Sequence, residues 1–125
     1  MQIRTRDTEG QNPLYLPQAK VYDGSCALGP GILLARDTLP SATEIRIEIL
    51  RGGRTEFSGT PTLAAMKREQ KELVSYLYRE CSFPAGCLLM TGTGIVPPDS
   101  FTLMGGDEVL IEIDGIGRLR DMVGV

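Results

Sequence analysis

The stretch "ATEIRIEIL", Ala42 to Leu50, alternates without a break: Ile45, Ile47 and Ile49 fall on one side, Glu44, Arg46 and Glu48 on the other. Successive side chains of a strand point to opposite faces, so this pattern specifies a half-buried strand with one dry and one wet face. "RGGR" then turns the chain into "TEFSG", which makes a hairpin. The same signature returns near the C-terminus. "GGDEVLIEIDGIGRLRDMV" reads as two strands about Asp114-Gly115, with Val109, Ile111 and Ile113 on one face.

Other segments carry weaker signals. Residues 1 to 24 are polar and turn-rich, with Pro13 and Pro17, and predict a long loop with a short extended piece near Ala19 to Tyr22. "GPGILLAR", Gly29 to Arg36, predicts a glycine-bounded strand, and the apolar run Cys87 to Met90 a short buried one. Thr60-Pro61-Thr62 punctuates the chain. From Glu69 to Cys81 the period is helical, with Leu73, Val74, Leu77 and Cys81 on one face, and Ser82-Phe83-Pro84 ends the helix. There is no internal repeat. The sum is one α+β domain over residues 1–125, rich in β-structure, with one main helix near 69–81.

Composition narrows the chemistry. The chain has 42% hydrophobic residues, enough for a core, and no apolar run near the roughly 18 residues of a membrane span. "MQIRTRDTEG" has no apolar stretch of the kind a secretory signal needs. A net charge of −3, dispersed, with 6% aromatic residues, argues against nucleic acid and against a basic membrane contact. Histidine is absent, which removes histidine-based nucleophilic triads and the usual zinc sites. Cys26, Cys81 and Cys87 form an odd set without CxxC spacing, and fit a reducing, cytoplasmic setting.

Three features are candidates for function. Thr91-Gly92-Thr93-Gly94 is not a phosphate loop: no GxxxxGK[ST] pattern exists, and Pro97 stands where a GxGxxG would need glycine. Its amides and hydroxyls suit a carboxylate or carbonyl oxygen, and equally an ordinary β-turn. Glu112 and Asp114 share a strand face, either as a pair able to hold Mg²⁺ or Ca²⁺ or as the wet side of an amphipathic strand. Lys20 is the only lysine in the first 66 residues and reads as a solvated side chain or as a site residue.

Taken together, the segments resemble one family. "GDEVLIEIDGIGRLRDMV" resembles the C-terminal signature of the fumarylacetoacetate hydrolase superfamily, and "LLMTGTG" is similar to its strand that ends in a Thr-Gly-Thr turn. "ELVSYL" resembles the preceding helix, "RTRDTEG" the end of its N-D-x-S-x-R-D motif, and "AKVYDGSCALGP" its G-K-S-x-D-x-x-x-x-x-G-P segment. The wording "NPLYLPQAKVYDGSCALGP" with "TGTGIVPPD" looks like the branch containing 2-keto-3-deoxy-D-arabinonate dehydratases.

The resemblance implies a rolled mixed β-sheet, a homodimer or higher oligomer, and Mg²⁺-assisted chemistry on 2-oxo acids. It implies that Arg6 and Glu9 lie on the substrate side and that Lys20 is catalytic beside the metal. It also implies that Thr91, Gly92 and Thr93 hold the substrate carboxylate. The metal ligands are a departure. The family's Glu-x-Glu pair would lie upstream of anything present, and Gln2 occupies the position of the motif's aspartate, with Arg4 at its serine. No metal ligand is therefore assigned, and no bound cofactor is expected. Two readings stay open. In one, this is the C-terminal part of the fold without its N-terminal segment, catalytically impaired and at most a weak binder of a 2-oxo acid. In the other, it is an active hydro-lyase or hydrolase on a 2-keto-3-deoxy sugar acid, with ligands supplied by a partner.

Overall fold

A computed structural model describes residues 12–29 and 31–124. The alternating segments form the strands expected of them: β1 over Ile45–Arg51, β2 over Arg54–Gly59, β3 over Glu108–Ile113 and β4 over Gly117–Met122. They make one sheet in the order β2-β1-β3-β4. Every pairing among these described strands is antiparallel. With one α-helix among the described residues, α1 over Gln70–Leu77, the class is α+β. Among the described residues no helix is long and apolar enough to cross a membrane.

The β1–β2 hairpin follows from two residues. Gly52 and Gly53 have φ of 56° and 78°, the left-handed region at both central positions that a tight two-residue hairpin turn requires. Further along, Ile49 faces Phe57 while Leu50 faces Thr55, so β2 carries one extra residue, Glu56, at a bulge.

Register places the dry face as the alternation demands. Ile45, Ile47 and Ile49 of β1 face Ile113, Ile111 and Val109 of β3, and Leu119 of β4 faces Ile111. Ile49 and Val109 are buried; the flanking isoleucines are only half-buried. Together with Ala19 these are the only fully buried apolar side chains among the described residues. The accessible surface is 9394 Å² for a 13.6 kDa chain, where a compact monomer of that mass has about 6,600 Å².

Four expectations require correction. The helix is shorter than residues 69–81. It ends at Leu77, with Tyr78 as its cap, and Cys81 lies beyond it. Tyr78 stacks edge-on against Phe83, with ring centroids 5.4 Å apart, so the chain folds back before another turn of helix forms. Residues 31–36 and 87–90 are not strands. A strand is defined by a neighbour, and neither segment has one among the described residues. Near Ala19 the backbone makes a 3-10 turn over Gln18–Lys20 instead of an extended piece.

Candidate functional site

The Thr-Gly turn is held in place by close contacts that only small residues allow. A Cβ on Gly94 would lie 3.0 Å from Cβ of Pro61, and one on Gly59 would lie 2.1 Å from Cδ1 of Ile95. The chain at 94–95 thus lies directly on the end of β2 and on the segment that follows it. That segment is itself tied to the start of β1. The amide of Ile45 donates to the carbonyl of Pro61 at 2.9 Å, and that of Leu63 to Thr43 at 3.0 Å.

The result is a cleft of about 340 Å³. Thr91, Gly92 and Thr93 line it together with Lys67 and Arg68, and Met66 and Leu73 add apolar surface. Gly92 has φ of 98°, a backbone shape that side-chain-bearing residues rarely take. The Thr93 hydroxyl donates to the carbonyl of Ile95 at 2.7 Å, and the Ile95 amide donates back to that hydroxyl at 3.3 Å, which fixes the turn from within. None of the amides from Thr91 to Gly94 donates a hydrogen bond to another described residue. Arg68 is engaged with Glu72 at 2.8 Å, one helical turn on. Lys67 has no ion pair among the described residues. The cleft therefore brings together backbone amides that donate to no other described residue and a lysine without an ion pair among the described residues.

The resemblance-derived residues are distributed as follows. Thr91, Gly92 and Thr93 lie together in this cleft. Lys20 ends the 3-10 turn, half-buried, with its carbonyl accepting the Ser25 hydroxyl at 3.0 Å, and it is not among the cleft's lining residues. Arg6 and Glu9 lie outside the described residues. Lys67 and Arg68 were missed in the sequence because nothing in a lone Lys-Arg pair before a helix distinguishes it from solvated charge.

The acidic pair of β3 has a different partner from the one considered for it. Arg46 lies opposite Glu112 across the β1–β3 ladder. Its guanidinium donates to Glu112 at 2.9 Å, Glu44 at 3.1 Å and Asp114 at 2.8 Å. Asp114, then Glu112 and Glu44, hold the guanidinium above its ordinary pKa. Arg118 also binds Glu112, at 2.5 Å. Glu44, Glu112 and Asp114 are thus occupied by arginine. Among the described residues no group of three or more His, Cys, Asp or Glu side chains is arranged to hold a metal ion. These residues do not fit a Mg²⁺ site, which needs several oxygen donors converging on one point.

The fumarylacetoacetate (FAA) hydrolase C-terminal family matches residues 1–124. A probable 2-keto-3-deoxyxylonate dehydratase of Haloferax volcanii is 41% identical over 122 residues, 97% of this chain and 42% of that protein. A 2-dehydro-3-deoxy-D-arabinonate dehydratase of Saccharolobus solfataricus is 42% identical over 118 residues, 94% of this chain and 40% of that protein. Among solved structures, a 2-keto-3-deoxy-D-arabinonate dehydratase complexed with magnesium and 2,5-dioxopentanoate superposes with a TM-score of 0.91 at 41% identity, covering 97% of this chain and 43% of that one. The chain spans about two-fifths of the length of these relatives.

Proposed function

The chain belongs to the fumarylacetoacetate hydrolase family, and on that premise we propose that it binds the carboxylate of a small 2-oxo acid at the Thr91–Gly94 turn, without turning it over by itself. The observation that carries this reading is the cleft that Thr91, Gly92 and Thr93 share with Lys67, in which neither the turn amides nor the lysine ammonium has a partner among the described residues. The substrate class is taken from the dehydratases, one of which is described with 2,5-dioxopentanoate, itself a 2-oxo acid. Charge-assisted hydrogen bonds contribute about 1.5–3 kcal/mol each before ordering is subtracted, so two or three of them give binding on the order of millimolar.

Dehydration of a 2-keto-3-deoxy acid asks for more. Removing the proton beside the oxo group puts negative charge on the oxo oxygen, and that charge needs fixed donors or a cation at the oxygen itself. The cleft holds the carboxylate end. Among the described residues no group of three or more carboxylates or other ligands is arranged to gather a cation, and Glu44, Glu112 and Asp114 are bound to Arg46. Within a complete family fold this chain supplies the carboxylate-binding side. Its three cysteines are free and exposed, in keeping with a cytoplasmic setting.

Amide chemical shifts followed during pyruvate titration test the reading. Residues 91–94 should move with millimolar affinity, and Lys67→Ala should weaken the effect about tenfold, whereas Lys20→Ala should not. Loss of binding in Lys20→Ala alone would transfer the cationic role to Lys20. Shifts confined to other surfaces would mean that the turn holds no ligand.

A further inference from the structure

The cleft at the Thr91–Gly94 turn carries two cations, and they differ in what holds them. Lys67 and Arg68 both line it, with Met66 and Leu73 as its apolar part. Lys67 has no ion pair among the described residues. Arg68 has one. Glu72, in the first turn of α1, lies four residues on, and its Oε1 accepts from Nη1 of Arg68 at 2.8 Å. Glu72 is not itself a lining residue of this cleft. Lys71, the next basic side chain, is paired with Asp37 at 3.0 Å. The two positive charges of the cleft are thus offset by one negative charge held against Arg68.

A ligand with a single carboxylate matches the charge that remains. A second carboxylate on the ligand would have to take Arg68 from Glu72. Two effects oppose that exchange. Glu72 is tethered to Arg68 by the chain, so its local concentration far exceeds that of a millimolar ligand. Once displaced, it stays nearby as a like charge against the incoming carboxylate. The pair is 60% exposed on the arginine side and 39% on the glutamate side, so one substitution can remove it without loss of the fold.

We propose that Glu72 sets the charge selectivity of the cleft: by holding Arg68 it favours 2-oxo acids with one carboxylate over those with two. Glu72 is a positioning residue, acting through Arg68. The proposal rests on the carboxylate-binding reading and adds to it which 2-oxo acids the site disfavours.

The experiment compares two ligands of equal chain length, 2-oxopentanoate with one carboxylate and 2-oxoglutarate with two. Amide chemical shifts of residues 91–94 are followed in the full chain. The wild type should bind 2-oxopentanoate about threefold more tightly than 2-oxoglutarate. In Glu72→Gln, Arg68 is released, and affinity for 2-oxoglutarate should rise about tenfold while that for 2-oxopentanoate changes by less than about threefold. Glu72→Ala, with a better helix former in α1, should reverse the preference in the same way. Adding Arg68→Gln to Glu72→Gln should cancel the gain. Glu69→Gln removes an equal charge beside Arg68 that is not paired with it, and should leave the preference as in the wild type. If the wild type binds 2-oxopentanoate but both Glu72 variants keep its preference, the selectivity proposal fails and the carboxylate site stands. If neither ligand moves residues 91–94 in the wild type, the carboxylate-binding reading fails and the proposal falls with it. An equal gain in Glu69→Gln would overturn the proposal in favour of overall charge.

Discussion

Asp107 receives both ends of the Arg51 guanidinium: Nε lies 2.8 Å from Oδ1 and Nη2 2.7 Å from Oδ2. The carboxylate is fully buried and also accepts the amide of Met104 at 2.9 Å. Arg51 ends β1 and reaches the carbonyl of Thr102 at 2.9 Å, so this pair ties the first hairpin to the loop that leads into β3. The hydrogen bond from Arg51, helped by the Met104 amide, holds the Asp107 carboxyl below its ordinary value of 3.8, against the opposing effect of burial.

Neutralising Asp107 should be costly. Asp107→Asn leaves Arg51 facing an amide and removes a charge-assisted pair, for which a loss of about 2–3 kcal/mol is expected. The pH dependence has a definite sign. A carboxyl whose folded value is lowered stabilises the fold above its unfolded value and loses that contribution as pH falls through the acid range. Urea midpoints of the wild type should therefore drop steeply below about pH 4, and the Asp107→Asn variant should lack that part of the slope. Parallel profiles for the two proteins would contradict this account.

Arg46 gives a second test. With its guanidinium removed in Arg46→Ala, Glu44, Glu112 and Asp114 are left facing one another across β1 and β3. Like charges at this spacing repel, and three carboxylates offer oxygens to a hard cation. The variant should melt earlier in low salt and be rescued by millimolar Ca²⁺, whereas the wild type should show no such Ca²⁺ response. Rescue by NaCl alone at equal ionic strength would indicate simple screening.

The wild-type chain itself should bind Mg²⁺ without a stoichiometric site. Arg46 holds Glu44, Glu112 and Asp114, Arg51 holds Asp107, and the resemblance puts Gln2 where the family motif has aspartate. Calorimetric titration with Mg²⁺ and Mn²⁺ should give only heats of dilution. A one-to-one isotherm with micromolar affinity would restore the reading of an independently active enzyme.

The sheet was legible because its information is local. Ile45, Ile47 and Ile49, with Val109, Ile111 and Ile113, carry the period of two that a half-buried strand requires, and Gly52-Gly53 carries the turn. Residues 31–36 and 87–90 misled for the complementary reason: their apolar runs specify a buried strand only when something is there to bury them. The Arg51–Asp107 pair joins residues 56 positions apart, and no pattern in either neighbourhood announces it. Lys67 enters the cleft only because Gly59 and Gly94 let the chain at 94–95 come down on the end of β2, a contact invisible in one dimension.

The last prediction separates the shape of the turn from its stability. A Cβ on Gly92 would meet nothing within 4 Å, so Gly92→Ala adds no clash; its whole effect comes from φ of 98°. An L-residue resists that region at a cost of about 1–2 kcal/mol, and an exposed turn can relieve it by rearranging. Rearrangement moves the amides of Thr91 to Gly94 away from Lys67. Gly92→Ala should therefore abolish pyruvate-induced shifts in the turn while lowering the urea midpoint only slightly. Gly86 is the matching control, with φ of 80° and equally open surroundings, but outside the cleft. Gly86→Ala should carry the same backbone strain and leave pyruvate binding intact. If both variants lose binding equally, strain anywhere in this region is enough, and the turn has no special part in holding the carboxylate.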